Sequence, residues 1–416
     1  MPAKRIPRKT HGDLLLILLS LLLVASGIVA IYSAGHHSGS EHLGNSYIKQ
    51  MIWAALAMAL LLAAALMPYR IFYALAYVCY GGMLSLLVLV LIAGTNVGGA
   101  HRWFAAGPIH FQPSEWAKIA TVILLARVLS DRKRTLEETG AFVLPFVLAL
   151  LPMALVLREP DLGTALVFPV ILFPMLYWAG ARLATLFFIL SPLLSLVCAL
   201  LGILSNHYLP WGLFVALLLG IIFMTRPHLS SILVLSVTNL VVGIATPFFW
   251  GRLHTYQQNR ILSFLNPEQD PLRTGYQLIQ SKVAIGSGGF FGKGILEGTQ
   301  TQLAFLPAQH TDFIFSVIGE ELGFAGVSLI LIAFMVLIWR GLVIATTVKS
   351  PFSSLIAVGL ISILTFHVFV NVGMAVGLMP VTGLPLPFLS YGGSSLSLNM
   401  ILIGILFNLS ANRYEY

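Results

Sequence analysis

The chain has 416 residues, 58% of them hydrophobic and only 9% charged, with a formal net charge of +8. Soluble domains carry about 25% charged residues, so the composition excludes a soluble globular enzyme and points to a polytopic membrane protein. No basic soluble domain holds the positive balance, which excludes a nucleic-acid module; the basic residues gather instead at the ends of apolar runs, as membrane orientation requires.

A helix crosses a bilayer with about 20 apolar residues. The leading MPAKRIPRK precedes an apolar run from Leu14 to Tyr32. That run is too long for a signal-peptide core and more spans follow, so it reads as an uncleaved first helix. In chain order the predicted spans are 13–33, 48–67, 72–94, 114–130, 141–157, 162–180, 183–204, 209–225, 229–250, 312–339, 353–378 and 395–411. The expected fold is all-α, with about twelve transmembrane helices in one membrane domain over 1–416. Cys79 and Cys198 fall in separate apolar runs and read as packing residues; two such cysteines make neither a disulfide framework nor a CxxC site.

Lys4, Arg5, Arg8 and Lys9 hold the N-terminus in the cytoplasm. Alternation then puts Arg70, Arg132, Lys133, Arg134, Arg182, Arg226, Arg340, Lys349 and Arg413 on the same side, with both termini cytoplasmic. The outer side receives the loop 95–113, the REPD turn from Arg158 to Asp161, the long stretch 251–311 and the segment 379–395. Structureless loops beyond about 12–15 residues are usually functional or disordered. The 251–311 stretch carries apolar patches, so it is expected to lie on the membrane surface or re-enter it.

Four segments carry candidate chemistry. In HRWFAAGPIHFQPSEWAK, Ser114 is placed to cap a helix after Pro113. Glu115 then falls in the first turn, favoured by the dipole, and Lys118 three residues on can pair with it. The duller reading is an aromatic-belt Trp103 and a capping carboxylate. The glycine run IGSGGFFGKG, Gly286 to Gly294, has backbone N–H groups that can wrap phosphate, yet it lacks the GxxxxGK[ST] pattern, and a re-entrant turn is preferred. Asp312 stands where a polar loop becomes a membrane helix, either as N-cap or as a proton acceptor. Glu320 and Glu321 follow about two turns down that helix, where an internal base or backbone group can hold them. In GLPLPFLSYGG, Pro385 and Pro387 break any helix, which at membrane depth suggests a cavity wall. His101, His110, His254 and His310 share the outer side in no standard ligand spacing, and no HExxH, Walker or GxSxG motif is present.

FQPSEWAK at 111–118, EPDLGTA at 159–165, YQLIQSKVAIGSGGFFGKG at 276–294, GTQTQLAFLPAQHTDFIFSVIGEELG at 298–323 and LPLPFLSYGGSS at 384–395 resemble the signatures of the SEDS family (shape, elongation, division and sporulation). The GTQTQL and QSKVAIGSGG wording is similar to its elongation branch more than to its division branch. The resemblance covers nearly the whole chain. It departs in one respect: the family has ten spans, and the surplus around 183–226 reads as a two-helix insertion that alters partner contacts.

The resemblance implies a peptidoglycan glycosyltransferase of the cytoplasmic (inner) membrane. It would polymerise lipid II on the outer face during elongation, with a class B penicillin-binding protein, the elongation machinery and membrane lipid as partners. The family's catalytic Asp falls on Asp312, and its important Trp and Glu on Trp103 and Glu115. A base for the attacking hydroxyl is then Asp312. The leaving pyrophosphate needs cations, Lys118 first, with Arg102, Arg158, Arg252, Arg260, Arg273, Lys282 and Lys293 also available. Gln280, Ser281, His310, Thr311, Pro385, Ser390 and Gly392, in the signature segments, are expected to contact substrate. A divalent cation, Mg2+ or Mn2+, is expected to bridge Glu115, Asp312 and the pyrophosphate; no organic cofactor is expected. Two other readings compete: a lipid II flippase, which needs a polar path open to both faces, and a scaffold indifferent to Asp312.

Overall fold

Inside a bilayer every backbone N–H and C=O must be paired within the segment, so long apolar runs become helices. The computed structural model describes residues 12–36, 45–97, 100–106, 109–131, 139–225, 229–252, 258, 262, 275–303, 305–306 and 308–413. Among them, twelve helical stretches cover the predicted spans: α1 (Leu14–His36), α2 (Ser46–Leu66), α3 (Tyr69–Ala93), α4 (Pro113–Ser130), α5 (Val143–Arg158), the bent pair α6 (Leu162–Ala165) and α7 (Val167–Trp178), α8 (Leu183–Leu204), α9 (Leu209–Thr225), α10 (Leu229–Arg252), and, after α11 (Tyr276–Ser287) and α12 (Thr299–Gln302), the spans α13 (Ile314–Thr347), α14 (Pro351–Val376) and α15 (Gly393–Ala411). Eight are long and apolar enough to cross a membrane by length and composition alone. α4 is more polar because it carries Glu115, Lys118 and Arg127. The chain is a multi-pass membrane protein.

The loop 95–113 holds a small antiparallel sheet that the sequence reading did not anticipate: β1 (Thr95–Val97), β2 (Ala100–Ala106) and β3 (Ile109–Phe111), in that order. Asn96 pairs with His101, and Phe104 with Phe111. Two expected caps also move. α4 begins at Pro113, whose missing N–H costs nothing at the first position; Gln112 precedes it, and Ser114 lies inside the helix. Before α13, Phe313 takes the N-cap position, and Asp312 lies in the turn ahead, its N–H donating to Ala308 O at 3.1 Å.

Unit 1 comprises residues 1–179 and 267–416, and unit 2 residues 180–266. In unit 1, 78% of an 18-residue stretch of α14 and of α15 is buried, against 22% of such a stretch of α2 and of α3. α14 and α15 are therefore central and α2 and α3 present most of their surface outward. A Cβ on Gly359 of α14 would come within 2.6 Å of Val122 Cγ1 of α4, so glycine lets these helices approach closely. In unit 2, Asn239 of α10 donates to Ser191 Oγ of α8 at 2.9 Å, and Trp211 of α9 donates to Ser195 Oγ of α8 at 3.0 Å. These bonds tie three apolar helices around Phe214, Leu218 and Ile222, with Cys198 packed alongside; Cys198 and Cys79 are both free thiols.

Candidate active site

The site is built on one stripe of α14. Two polar residues four apart share a helix face, and His367 and Asn371 do so within the apolar run FHVFVN. Both are almost wholly buried. Asn371 donates from Nδ2 to Asp312 O at 3.0 Å and to Leu384 O at 2.8 Å, pinning together the turn before α13 and the loop before α15. The same two segments are stitched further along. Ser390 Oγ donates to Thr311 O at 2.5 Å and accepts from Leu386 N at 2.8 Å, and Tyr391 N donates to His310 O at 2.9 Å. The HTD and LPLPFLSYGG motifs thus form one wall. Asp312 is half-buried in it, and Gly383 is so close that a Cβ there would lie 3.9 Å from Asp312 Oδ2. Burial raises the Asp312 carboxyl above its ordinary value, against a smaller lowering by the Thr311 side chain, and burial lowers His310.

One turn back along α14, about 6 Å on helix rise, His367 reaches α4. Lys118 is fully buried, its Nζ 2.7 Å from Glu115 Oε1 and 3.2 Å from His367 Nε2. Glu115 Oε2 and His367 Nδ1 are buried with no hydrogen-bond partner among the described residues.

At the end of α4 that carries Glu115, the REPD turn and β2 meet. Arg102 Nε donates to Glu159 O at 2.8 Å, its Nη2 donates to Pro160 O, and its Nη1 lies 4.0 Å from Asp161 Oδ2. Gln112 Nε2 also donates to Asp161 Oδ2, at 3.4 Å. Arg102 therefore organises this turn, and half-buried Trp103 is held next to it in β2. Glu159 is wholly buried with both carboxyl oxygens unpartnered among the described residues. Burial, then Asp161, push its pKa up to about 8, against Arg102. The folded state thus keeps a proton that the unfolded chain loses near its ordinary value of about 4.3. Stability from this group is complete below that value and falls as pH rises to about 8. Glu159→Gln should remove that slope: its melting temperature should gain on the wild type between pH 5 and pH 8, and parallel curves would contradict this.

The glycine run meets a broken helix. Gly323, at φ 64°, interrupts α13. Lys293 N and Gly294 N donate to Glu320 O and Glu321 O, and Phe324 N and Ala325 N donate back to Gly289 O and Phe290 O, all at 2.9–3.0 Å. Two of the run's N–H groups are therefore committed to the break. Glu320 anchors the next loop, accepting from Lys293 Nζ at 2.7 Å, Gln300 N at 2.9 Å and Thr301 N at 3.0 Å. Glu321 accepts from Ser33 Oγ of α1.

The family model of the cell cycle proteins FtsW, RodA and SpoVE matches residues 13–210 and 192–415. The chain belongs to the FtsW/RodA/SpoVE family. It is 36% identical over 438 residues to the peptidoglycan glycosyltransferase RodA of Treponema pallidum (strain Nichols), covering 98% of this chain and 100% of that protein. It is 37% identical over 410 residues to the peptidoglycan glycosyltransferase MrdB of Escherichia coli (strain K12), covering 97% and 95%. A solved chain described under structural coordination of polymerization and crosslinking by a peptidoglycan synthase complex superposes with TM-score 0.73 at 31% identity, covering 97% of this chain and 99% of that one. The rod shape determining protein RodA of Thermus thermophilus gives 0.63 at 27%, covering 98% and 99%. The two family-model stretches overlap at 192–210, inside the region read as surplus.

Among the other residues expected for an FtsW/RodA/SpoVE site, Lys118 is internal, with contacts to Glu115 and His367 rather than at a surface. Ser281 is also internal, 2.6 Å from Ser316 Oγ and from Ala375 O, which seats α11 against α13 and α14. Lys282 is exposed on α11 beside Gly377, Gln280 is half-buried near α11's middle, and Arg158 is exposed at the end of α5. Pro385 and Gly392 are half-buried in the wall loop, where Gly392 N donates to Gln50 Oε1 at 3.2 Å. Lys293 is committed to Glu320, and Arg252 stacks 4.1 Å over Phe248 within unit 2. Arg260, Arg273 and His254 lie outside the described residues, as do the side chains of His101 and His110. The sequence reading missed His367, Asn371 and Glu159. The signal for the first two was available: two polar residues four apart in a membrane span.

Proposed function

We propose that the chain is the polymerase of an elongation complex, joining lipid II into glycan strands at the outer face of the cytoplasmic membrane beside a class B penicillin-binding protein. The observation that carries this is the Asp312 wall: a half-buried carboxylate on a non-helical rim whose backbone carbonyls are held by Asn371 and Ser390, with His367, one turn from Asn371 on α14, touching the buried Glu115–Lys118 pair of α4. The acceptor sugar's hydroxyl oxygen bonds to the donor's anomeric carbon. The bond from that carbon to the pyrophosphate oxygen breaks, the electron pair leaves with undecaprenyl pyrophosphate, and the hydroxyl proton passes to Asp312. A carboxyl raised by burial is a stronger base than an ordinary aspartate, and its working form is the ionised one. Trp103 and Glu115 line the neighbouring part of the site.

A bridging dication fits these residues poorly. Glu115 Oε1 already meets the Lys118 ammonium at 2.7 Å, so a cation fills the place a dication would take on that oxygen. Charge on the leaving pyrophosphate is therefore assigned to the chain's own exposed cations, Lys282 and Arg158. Cytoplasmic termini are supported by Lys4, Arg5, Arg8 and Lys9 ahead of the first span and by the alternation that returns Arg340, Lys349 and Arg413 to the same side. The partner assignment is supported by the solved relative described with both polymerization and crosslinking.

The test is to reconstitute the chain with its penicillin-binding partner in vesicles that hold fluorescent lipid II, with crosslinking blocked by a β-lactam. A ladder of glycan products is expected. Lipid II moved between leaflets and left unpolymerised would replace this reading with the flippase.

A further inference from the structure

A buried ammonium is costly unless it is paired and fully hydrogen-bonded. Lys118 has one contact from its own helix, Glu115, and one across to α14, His367. An ammonium only donates, so His367 Nε2 must accept, and the neutral ring carries its proton on Nδ1. That N–H is buried without a partner among the described residues, as is Glu115 Oε2. A histidine serving only to pack would leave a buried donor unsatisfied for nothing, where leucine would fill the space at no polar cost. The two residues that grip Lys118 thus each keep one polar atom in reserve.

We propose that His367 is a positioning residue: it holds the Lys118 ammonium on Glu115 Oε1 and so fixes Glu115 in one orientation, its second oxygen, Oε2, kept unpaired at the Pro113 end of α4. This deepens the polymerase reading and rests on it. His367 and Asn371, one turn apart, make α14 the spine that sets the spacing between the Glu115–Lys118 pair and Asp312.

The test compares His367→Leu, which cannot accept, with His367→Gln, whose carbonyl oxygen reaches the place of Nε2. Both are assayed with the full chain and its partner on lipid II. His367→Leu should lower kcat about a hundredfold, the scale of an ångström misplacement, with KM within about twofold because substrate binding is not its task. His367→Gln should restore most of kcat. Equal kcat for the two variants would overturn the proposal. A second measurement separates this from failure of the polymerase reading. Melting temperatures of Lys118→Met, His367→Leu and the double variant should be non-additive, because the two side chains touch. If the wild type makes no polymer, non-additive losses still support the Lys118–His367 linkage, and additive losses overturn it.

Discussion

Lys118→Met should destabilise the protein by about 3–5 kcal/mol, the cost of leaving one partner of a buried ion pair uncompensated. Lys118 is fully buried and Glu115 is 4% exposed, so water cannot take over the lost contact. The methionine fills nearly the same volume, which keeps cavity formation out of the measurement. Glu115 already has one oxygen without a partner among the described residues, and the substitution orphans the other. Adding Glu115→Gln to Lys118→Met should recover a large part of the loss, since an amide costs less to bury than a carboxylate. The check is thermal unfolding of both variants in the same detergent. A Lys118→Met protein as stable as wild type would mean that the pair is not buried as described.

The membrane spans were legible because they depend on local apolar length. Residues 183–204 and 209–225 form helices with the predicted ends, and every other end moves by three residues or fewer except the one predicted at 339, where the helix runs on to Thr347. The charged pair was legible too, since Glu115 and Lys118 lie three apart on one helix. What failed was set by distant chain. Nothing local marks Gly323 as a break: the break is held by Gly289 to Gly294, about 30 residues earlier, whose backbone pairs with it. Asp312 was placed at the right helix end, but the helix starts two residues later, with Phe313 at the N-cap position and no side-chain cap, because residues 311–313 belong to the turn closed on Ala308 O. Lys118 read as an outer cation, and its burial came into view only with His367, 249 residues away in sequence. Glu159 stood in the sequence only as part of the REPD turn and the EPDLGTA signature; its burial gave no signal, since a carboxylate in a short polar turn looks exposed until β2 and Arg102 close over it.

Asp312→Asn should lower polymerisation about 10²–10⁴-fold, the ordinary value of a positioned general base. Asparagine has nearly the shape of aspartate and retains the backbone carbonyl that Asn371 holds, so the melting temperature should stay at or slightly above the wild-type value. Removing a carboxylate that burial disfavours in its ionised form does not cost stability. In the wild type, turnover should fall as acid protonates Asp312, with the midpoint above the ordinary aspartate value of about 3.9 because burial raises it. The deciding measurement is the rate of glycan formation from labelled lipid II by the complex carrying Asp312→Asn, set beside wild type at equal folded fraction. Loss of glycan with an unchanged melting temperature is the predicted result; glycan formed at the wild-type rate would contradict Asp312 as the base.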